Sequence, residues 1–327
     1  MKIIISKNAL LKICVVIIAV LLISNGFLLH SVLKRNDVAV KSENPGKFDL
    51  LYPTIASMET SEFNEMRKFY ITNYFDLKDK IIGLIDSNKE GEYSIYFEDI
   101  NTGAWIGINE KERHFPGSLL KIPVVAAVLK RVDEKDFNLD SRITILEQDV
   151  DTAYGPLAER GAGYDMSVEE LINYSIYYSD NTANAALRRI AESDALIDSV
   201  LGLGLPYKTF DLEKGEIKIS VKDYSNILRS LYYSSYLRRF YSQYILDLMT
   251  NTAFNDGLPS GVPKGVKIAH KIGDKEIYYY DCGIIYYPEN PYILCVMTGN
   301  APSEKSIQTI GQISKLTYDY VDSRHSN

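Results

Sequence analysis

Alternating apolar and polar positions mark five short segments of this chain as strands. They cover residues 92–99, 104–108, 266–272, 277–287 and 292–298. Alternation with a period of two is typical of a half-buried strand. The first two segments flank Asn101-Thr102-Gly103, a turn sequence that predicts a β-hairpin.

Elsewhere the apolar positions recur at helical spacing. The predicted helices cover residues 77–85, 118–132, 167–178, 182–191, 220–233, 241–249 and 304–321, and another helical pattern begins at Met58. Ser167 and Glu170 form a capping box at the start of one of these helices. The order of elements predicts an α+β fold, in which a five-stranded antiparallel sheet is flanked by the terminal helices. An all-helical subdomain, about residues 118–255, is inserted between the second and third strands.

The N-terminal segment from Ala9 to Leu29 is almost wholly apolar and follows Lys2 and Lys7. This pattern predicts a signal anchor in residues 1–35 with its N-terminus in the cytoplasm. A cleaved signal peptide is the alternative, and either one exports the rest of the chain. We assign residues 36–76 to a linker and an N-terminal helical extension, and residues 77–322 to the main domain.

The charge of the exported part excludes one class of partner. Five of the 36 basic residues lie in residues 1–35, so 31 basic residues stand against 43 acidic ones, a net charge of −12. A surface this acidic argues against nucleic acid. The four histidines are scattered along the chain, so we expect no metal site.

Three cysteines are too few for a disulfide scaffold. Cys14 lies in the predicted anchor. Cys282 and Cys295 lie on two strands joined by residues 288–291 and could be neighbours on one face of the sheet. We interpret them as two buried free thiols.

Three short motifs carry the candidate chemistry. They are Ser118-Leu119-Leu120-Lys121, Ser179-Asp180-Asn181 and Lys271-Ile272-Gly273. Ser118 and Lys121 are three residues apart on a predicted helix, so the amine can reach the hydroxyl. A serine becomes a nucleophile when a base takes its proton, and a buried lysine can be neutral enough to act as that base.

The other two motifs complete such a site. Ser179 can relay a proton to a leaving group, and Asn181 can bind a substrate amide. Asp180 is expected to point inward and hold the loop by backbone hydrogen bonds. Lys271 can stabilise Ser179 and attract a substrate carboxylate, while Gly273 lets a substrate lie against the strand. This set is what an acyl-transfer serine enzyme without a catalytic histidine requires.

Taken together, the motifs resemble those of the class A β-lactamases and the related penicillin-binding serine hydrolases. The resemblance covers residues 77–322 and rests on the segments 115–121, 151–156, 166–171, 178–184, 257–259 and 270–273. It implies a β-lactamase/transpeptidase-like fold and no cofactor. It also implies that Tyr154 lies at the mouth of the cleft and that the backbone N–H groups of Ser118 and Asp274 form the oxyanion hole.

Two departures from the family pattern bear on function. Ile272 stands where the family has Thr or Ser, so a substrate carboxylate loses a hydroxyl partner. Between Ala191 and Ser220 the chain lacks the Glu-x-x-Leu-Asn motif whose glutamate activates the deacylating water in class A β-lactamases. Glu213 and Glu216 are the alternatives for that role, and solvated loop charges are the other interpretation.

We therefore expect an extracytoplasmic, membrane-anchored serine hydrolase. Its substrates would be β-lactams or D-alanyl peptide-type amides of peptidoglycan, with slow deacylation. A β-lactamase with an unusual water-activating residue is one alternative. A non-catalytic cell-wall binding protein that keeps the cleft is the other; Ile272 favours it, whereas the intact Ser118, Lys121, Ser179 and Asn181 argue against it.

Overall fold

A computed structural model describes residues 73–88, 91–211, 216–275 and 277–325. The predicted anchor, the linker and the helical pattern after Met58 lie outside these residues. Within the described residues, no helix has both the length and the apolar character that a membrane span needs.

The described residues form eight α-helices. These are α1 (Phe75–Asn88), α2 (Lys121–Asp133), α3 (Val168–Tyr177), α4 (Asn181–Ala191), α5 (Ser193–Gly202), α6 (Val221–Tyr233), α7 (Arg239–Thr250) and α8 (Ser303–His325). The strands are β1 (Glu92–Asp99), β2 (Trp105–Ile108), β3 (Arg142–Thr144), β4 (Asp165–Ser167), β5 (Phe210–Asp211), β6 (Glu216–Ile217), β7 (Ile268–Lys275), β8 (Tyr278–Ile285) and β9 (Tyr292–Gly299).

Five strands form one antiparallel sheet in the order β2-β1-β9-β8-β7. The chain leaves this sheet after β2, at one edge, and returns at β7, the opposite edge. All the intervening elements belong to the insertion. The predicted five-stranded antiparallel sheet is therefore confirmed, and β7 is the sheet strand that borders the insertion.

Two hydrophobic cores cover the two faces of the sheet. The larger core joins the sheet to the helices of the insertion, and it includes Val125 of α2 and Leu187 of α4. The smaller core packs α1 and α8 on the other face, through residues such as Leu77 and Ile313. Burying one such side chain completely stabilises the fold by about 1.5–3 kcal/mol.

The insertion differs from the prediction in two respects: it is not all-helical, and it contains one helix more than predicted. It contains two short antiparallel pairs, β3 with β4 and β5 with β6. It also contains α5, which starts directly after Glu192, a non-glycine residue with φ 67° that separates α4 from α5. Strands of two or three residues are too short to show an alternating pattern.

The interpretation of the cysteines as free thiols is wrong. Cys282 of β8 and Cys295 of β9 form a disulfide, because the register of the two strands places them directly opposite each other. The sequence showed the two strands but not their register. A one-residue slip would have sent these side chains to opposite faces of the sheet.

Candidate active site

Ser118 and Lys121 lie at the junction of a 3₁₀ turn and α2. The turn covers Gly117–Leu120, and Lys121 is the first residue of the α-helix. The predicted helix start at Ser118 is thus a 3₁₀ turn, in which residues three apart eclipse each other. Pro123 is the third residue of α2, where the N–H that it lacks would have no partner within the helix. This geometry places the Lys121 amine 3.0 Å from Ser118 Oγ.

Ser179 lies in the short connection between α3 and α4. It follows Tyr178, the C-cap residue of α3, and takes a left-handed conformation with φ 56°. Glycine is the residue usually found at this position after a helix, and a side chain there costs about 1–2 kcal/mol. The strain turns the chain sharply, so that both the hydroxyl and the carbonyl of Ser179 face Lys121.

Asp180 caps α4 and fixes this connection. Its carboxylate accepts hydrogen bonds from the backbone N–H of Ala183, at 2.7 Å, and of Leu157, at 2.8 Å. The side chain is fully buried, and burial raises the pKa of its carboxyl group. Gly155 packs so closely that an added Cβ would lie 2.3 Å from Asp180 Oδ2. The predicted inward orientation of Asp180 is confirmed.

The Lys121 amine is the centre of the site. Besides Ser118 Oγ, it lies 3.1 Å from Ser179 Oγ and 2.7 Å from Asn181 Oδ1, and it donates to the carbonyl of Ser179. Lys121 is only 3% exposed. Burial lowers its pKa to about 8, against the opposing effect of the carboxylates of Asp180 and Asp151. The neutral form of this amine, which a general base requires, is therefore far more populated at neutral pH than in an ordinary lysine.

Asn181 connects Lys121 to a carboxylate. Its Oδ1 accepts from Lys121, and its Nδ2 donates to Asp151 Oδ1 at 3.3 Å. The second hydrogen on Nδ2 is free to bind a substrate carbonyl. In the sequence, Asp151 is noted only as part of the segment 151–156, on which the family resemblance rests. Its place beside Asn181 depends on how the loop that precedes the 3₁₀ turn Pro156–Arg160 packs against α4.

Lys271 approaches Ser179 from the other side. Its amine donates to Ser179 Oγ at 2.8 Å and to the carbonyl of Ile272 at 3.1 Å. Lys271 is 1% exposed, and burial lowers its pKa well below the usual value, with repulsion from Lys121 adding to the effect. Ser179 Oγ thus lies between two lysine amines, so a proton on either amine can reach it.

The remaining predicted residues border this cluster. Gly273 of β7 packs beside the 3₁₀ turn, where an added Cβ would lie 3.4 Å from the carbonyl of Pro116. The Tyr154 carbonyl accepts from the Asn181 N–H at 3.0 Å, and its ring is 46% exposed. Asp274 is exposed, and its carboxylate accepts from Ser303 Oγ at 2.8 Å.

Ile272 faces away from the cluster. Neighbouring side chains on a strand point to opposite faces, so Ile272 packs with Ile268 and Leu258 in the core under the terminal helices. Its side chain is 5% exposed. Position 272 therefore contributes to core packing on this backbone, while Lys271 faces the site.

A buried histidine–aspartate pair behind Lys271 was not anticipated from the sequence. His270 Nδ1 lies 2.8 Å from Asp281 Oδ1 on the neighbouring strand β8. Asp281 also accepts from the N–H of Leu258 at 2.9 Å. The pair ties β7 to the segment before it. In the sequence, the only sign of this pair is that His270 is adjacent to Lys271. That Asp281 is its partner follows from the register of β7 and β8, which the sequence does not show.

A cavity of about 590 Å³ opens beside Ser118, Lys121 and Asn181. Its wall combines the 3₁₀ turn with side chains of α2, α4 and α5. Across the described part of the chain, no group of three or more His, Cys, Asp and Glu residues could hold a metal ion. A half-buried serine beside two buried lysines of lowered pKa and an amide, at a cavity of this size, can perform acyl transfer.

Comparisons with known proteins agree with this arrangement. The sequence model of the beta-lactamase enzyme family matches residues 76–321. Beta-lactamase L2 of Stenotrophomonas maltophilia is 32% identical over 93 residues, which are 28% of this chain and 30% of that protein. The chain spans about a third of the length of this relative and of two beta-lactamases of Proteus vulgaris.

Two solved structures share the fold. The structure of PBP-A has a TM-score of 0.70 at 24% identity and covers 77% of this chain and 98% of PBP-A. A beta-lactamase from Sphaerobacter thermophilus has a TM-score of 0.69 at 21% identity and covers 78% of this chain and 99% of that enzyme. These likenesses confirm the predicted β-lactamase/transpeptidase-like fold.

Proposed function

The chain belongs to the beta-lactamase enzyme family, and from this membership we propose that it is an extracytoplasmic serine acyl-enzyme acting on β-lactam or D-alanyl peptide-type amides. One observation carries the proposal. The Lys121 amine, with its pKa lowered to about 8, lies within hydrogen-bond distance of both Ser118 Oγ and Ser179 Oγ. A protein that only binds peptides has no need of a basic amine between two hydroxyls.

Acylation uses these contacts in sequence. The neutral amine of Lys121 takes the proton of Ser118 as its Oγ attacks the substrate carbonyl. The carbon–nitrogen bond of the tetrahedral intermediate then breaks, and Ser179 gives its proton to the departing nitrogen. Ser179 recovers a proton from the Lys121 ammonium, 3.1 Å away. The products are an ester on Ser118 and a free amine.

The surrounding residues would bind the substrate and its developing charge. Asn181 offers its free N–H to the amide of the acyl group, and the Lys271 amine, when it is protonated, supplies positive charge beside Ser179. The backbone N–H groups of Ser118 and Asp274 are assigned to the oxyanion. The position of Gly273 against the Ser118 turn supports that assignment, since it brings the end of β7 close to the nucleophile.

Deacylation is proposed to be slow. The segment between α4 and α6, which lacks the Glu-x-x-Leu-Asn motif, places Leu196, Val200 and Ile217 on the cavity wall. Apolar side chains cannot take a proton from water. Asp151 is the sole carboxylate among the residues that line this cavity in the described ranges, and it is hydrogen-bonded to Asn181.

Export and anchoring are also proposals. The apolar segment from Ala9 to Leu29 supports an N-terminal membrane anchor. The Cys282–Cys295 disulfide supports an oxidising location outside the cytoplasm, because cytoplasmic thiols are kept reduced.

The test is the Ser118→Ala variant treated with a fluorescent penicillin. We expect the parent protein to gain one covalent adduct on Ser118, located by mass spectrometry, and the variant to gain none. Ser87→Ala, which removes an exposed hydroxyl near the end of α1, is the matched control and should be labelled like the parent. An adduct that persists in Ser118→Ala would refute the assignment of the nucleophile.

A further inference from the structure

The cavity beside Ser118 continues well past the reacting groups, and its far part has a chemistry of its own. We propose that this part is a subsite for the acyl half of the substrate and that it takes an apolar group ending in an anion, which Arg188 binds. The proposal deepens the proposed function and rests on it, since it assumes that the acyl group on Ser118 extends into this cavity.

The walls of the far part are apolar. Its lining side chains come from the turn before α2, from α2 itself, from α5 and from β6, and they are Leu120, Pro123, Val124, Leu196, Val200 and Ile217. Val124 and Val200 line this space and are only 6% exposed each. An aliphatic or aromatic group that enters it leaves water on several sides at once, which favours binding by about 25 cal/mol per Å² of apolar surface buried.

One face of α4 leads from the reacting groups to Arg188. Asn181, Asn184, Ala185 and Arg188 all line the cavity. Their spacing of three, four and seven residues places them on the same side of the helix. At 1.5 Å per residue, Arg188 lies about 10 Å further along the helix axis than Asn181. An acyl group held at its amide by Asn181 therefore needs roughly the length of a substituted aromatic ring to reach the guanidinium.

Arg188 is available for such a contact. It is exposed, and the structure gives it no ion pair or hydrogen bond within the described residues. Its neighbour Arg189 differs: it donates to Asp149 at 2.7 Å and to the carbonyl of Thr144, so it ties α4 to the loop after β3. Two adjacent arginines thus serve different purposes, one of them structural.

The charge of the cavity contrasts with that of the molecule. The chain has a formal net charge of −7, yet among the described residues the cavity lining contains Lys121, Arg188 and Lys275 against a single carboxylate, Asp151. A positive cleft in an acidic protein concentrates anionic ligands and orients them as they arrive. A neutral apolar acyl group would fill the same space but leave the guanidinium without a partner.

The experiment compares two penicillins on the full chain. One is benzylpenicillin, and the other is its analogue with a carboxylate at the para position of the phenyl ring. Acylation rates are measured by quenching and mass spectrometry of the intact protein. We expect the carboxylate analogue to acylate about tenfold faster. The reason is that a hydrogen bond from the Arg188 guanidinium to the added carboxylate is charge-assisted and stronger than one between neutral groups.

Two charge-matched variants locate the effect. Arg188→Gln should acylate at similar rates with both penicillins. Arg239→Gln removes an exposed arginine at the start of α7, outside the cavity, and should keep the preference. Equal rates in the parent, or a preference that survives in Arg188→Gln, would overturn the subsite while leaving the proposed function intact.

If neither penicillin acylates the parent, the proposed function fails and the subsite is tested by binding alone. Calorimetry then compares 4-carboxyphenylacetamide with phenylacetamide, which represent the free acyl halves. The subsite predicts tighter binding of the carboxylate compound to the parent and to Arg239→Gln, with the difference lost in Arg188→Gln. Equal binding of both compounds to the parent would refute it.

Discussion

Two buried lysines flank one hydroxyl in this site, and their burial determines their chemistry. Lys121 and Lys271 approach Ser179 Oγ to 3.1 and 2.8 Å, and both have lowered pKa values because burial disfavours the ammonium form. Two full charges so close together would also repel each other. The arrangement therefore favours states in which one of the two amines is neutral; Lys121, which contacts Ser118 Oγ, is the amine proposed to accept its proton.

Lys121→Met tests this assignment. Met keeps much of the volume of the stem and removes the amine, so acylation by a penicillin should slow by about 10²–10⁴-fold. Lys130→Met, on the same helix but beside the ring of Tyr236, is the control and should acylate normally. A Lys121→Met variant that acylates at nearly the parent rate would make Lys121 a packing residue.

The pH dependence of acylation should follow Lys121. The amine is active when neutral, so the rate should rise with pH through a midpoint near the Lys121 pKa of about 8. Asp151 favours the charged form of Lys121, so removing its charge lowers this pKa further. Asp151→Asn, which retains an acceptor for Asn181, should therefore move the midpoint to lower pH. An unchanged midpoint would mean that Lys121 does not control the rate.

At the scale of single elements, β7 places one side chain in the candidate site and the next in the core, because its side chains alternate between the two faces. Lys271 faces Ser179, whereas Ile272 enters the core under α1 and α8. From the family pattern alone, a hydroxyl at position 272 would be expected to bind the substrate carboxylate. In this structure the side chain at position 272 lies on the opposite face of β7. The isoleucine that departs from the family pattern therefore packs in the core.

Ile272→Thr should accordingly destabilise the protein and leave acylation unimproved. Burying a hydroxyl without a partner costs about 1–3 kcal/mol, in addition to the lost packing. Chemical denaturation should report the loss in the free energy of unfolding, and Ile272→Val, which retains an apolar side chain, should lose less. A clear gain in acylation rate by a carboxylate-bearing β-lactam would contradict the observed orientation.

The long elements could be predicted because their periods are visible in sequence. The strands near 92–99 and 292–298 and the helix after Ser167 were placed within one or two residues, and the capping box at Ser167 is confirmed. The helix α5 is missing from the predicted elements, although Leu196 and Val200, four residues apart, show helical spacing.

The motifs predicted the hydrogen-bonded centre of the site, because residues a few positions apart in one turn or connection lie close together in space. Ser118 and Lys121 share one turn, and Ser179 and Asn181 share one connection. The positions of Asp151 and of the His270–Asp281 pair could not be predicted in the same way. They depend on strand register and on the packing of α4 against distant loops, which no short pattern encodes.

At the scale of the whole molecule, the fold does not decide the fate of the acyl-enzyme. PBP-A and the beta-lactamase from Sphaerobacter thermophilus match this chain almost equally, with TM-scores of 0.70 and 0.69. One fold hosts several functions, and the difference resides in a few side chains. In this family the second step needs a base for water, and the wall where α5 and β6 border the cavity offers Leu196, Val200 and Ile217.

Hydrolysis of penicillins by the whole protein should therefore be slow, with the ester on Ser118 persisting for minutes or longer. After acylation, Lys121 and Ser179 lie on the side of the departed amine, so neither is well placed to activate water on the opposite side. Stopped-flow measurements with a chromogenic β-lactam should give a burst of about one equivalent, followed by a slow steady state. Ser118→Ala is the control and should give no burst. Many turnovers per second would contradict the prediction, and their loss in Glu213→Gln or Glu216→Gln would then identify the missing base.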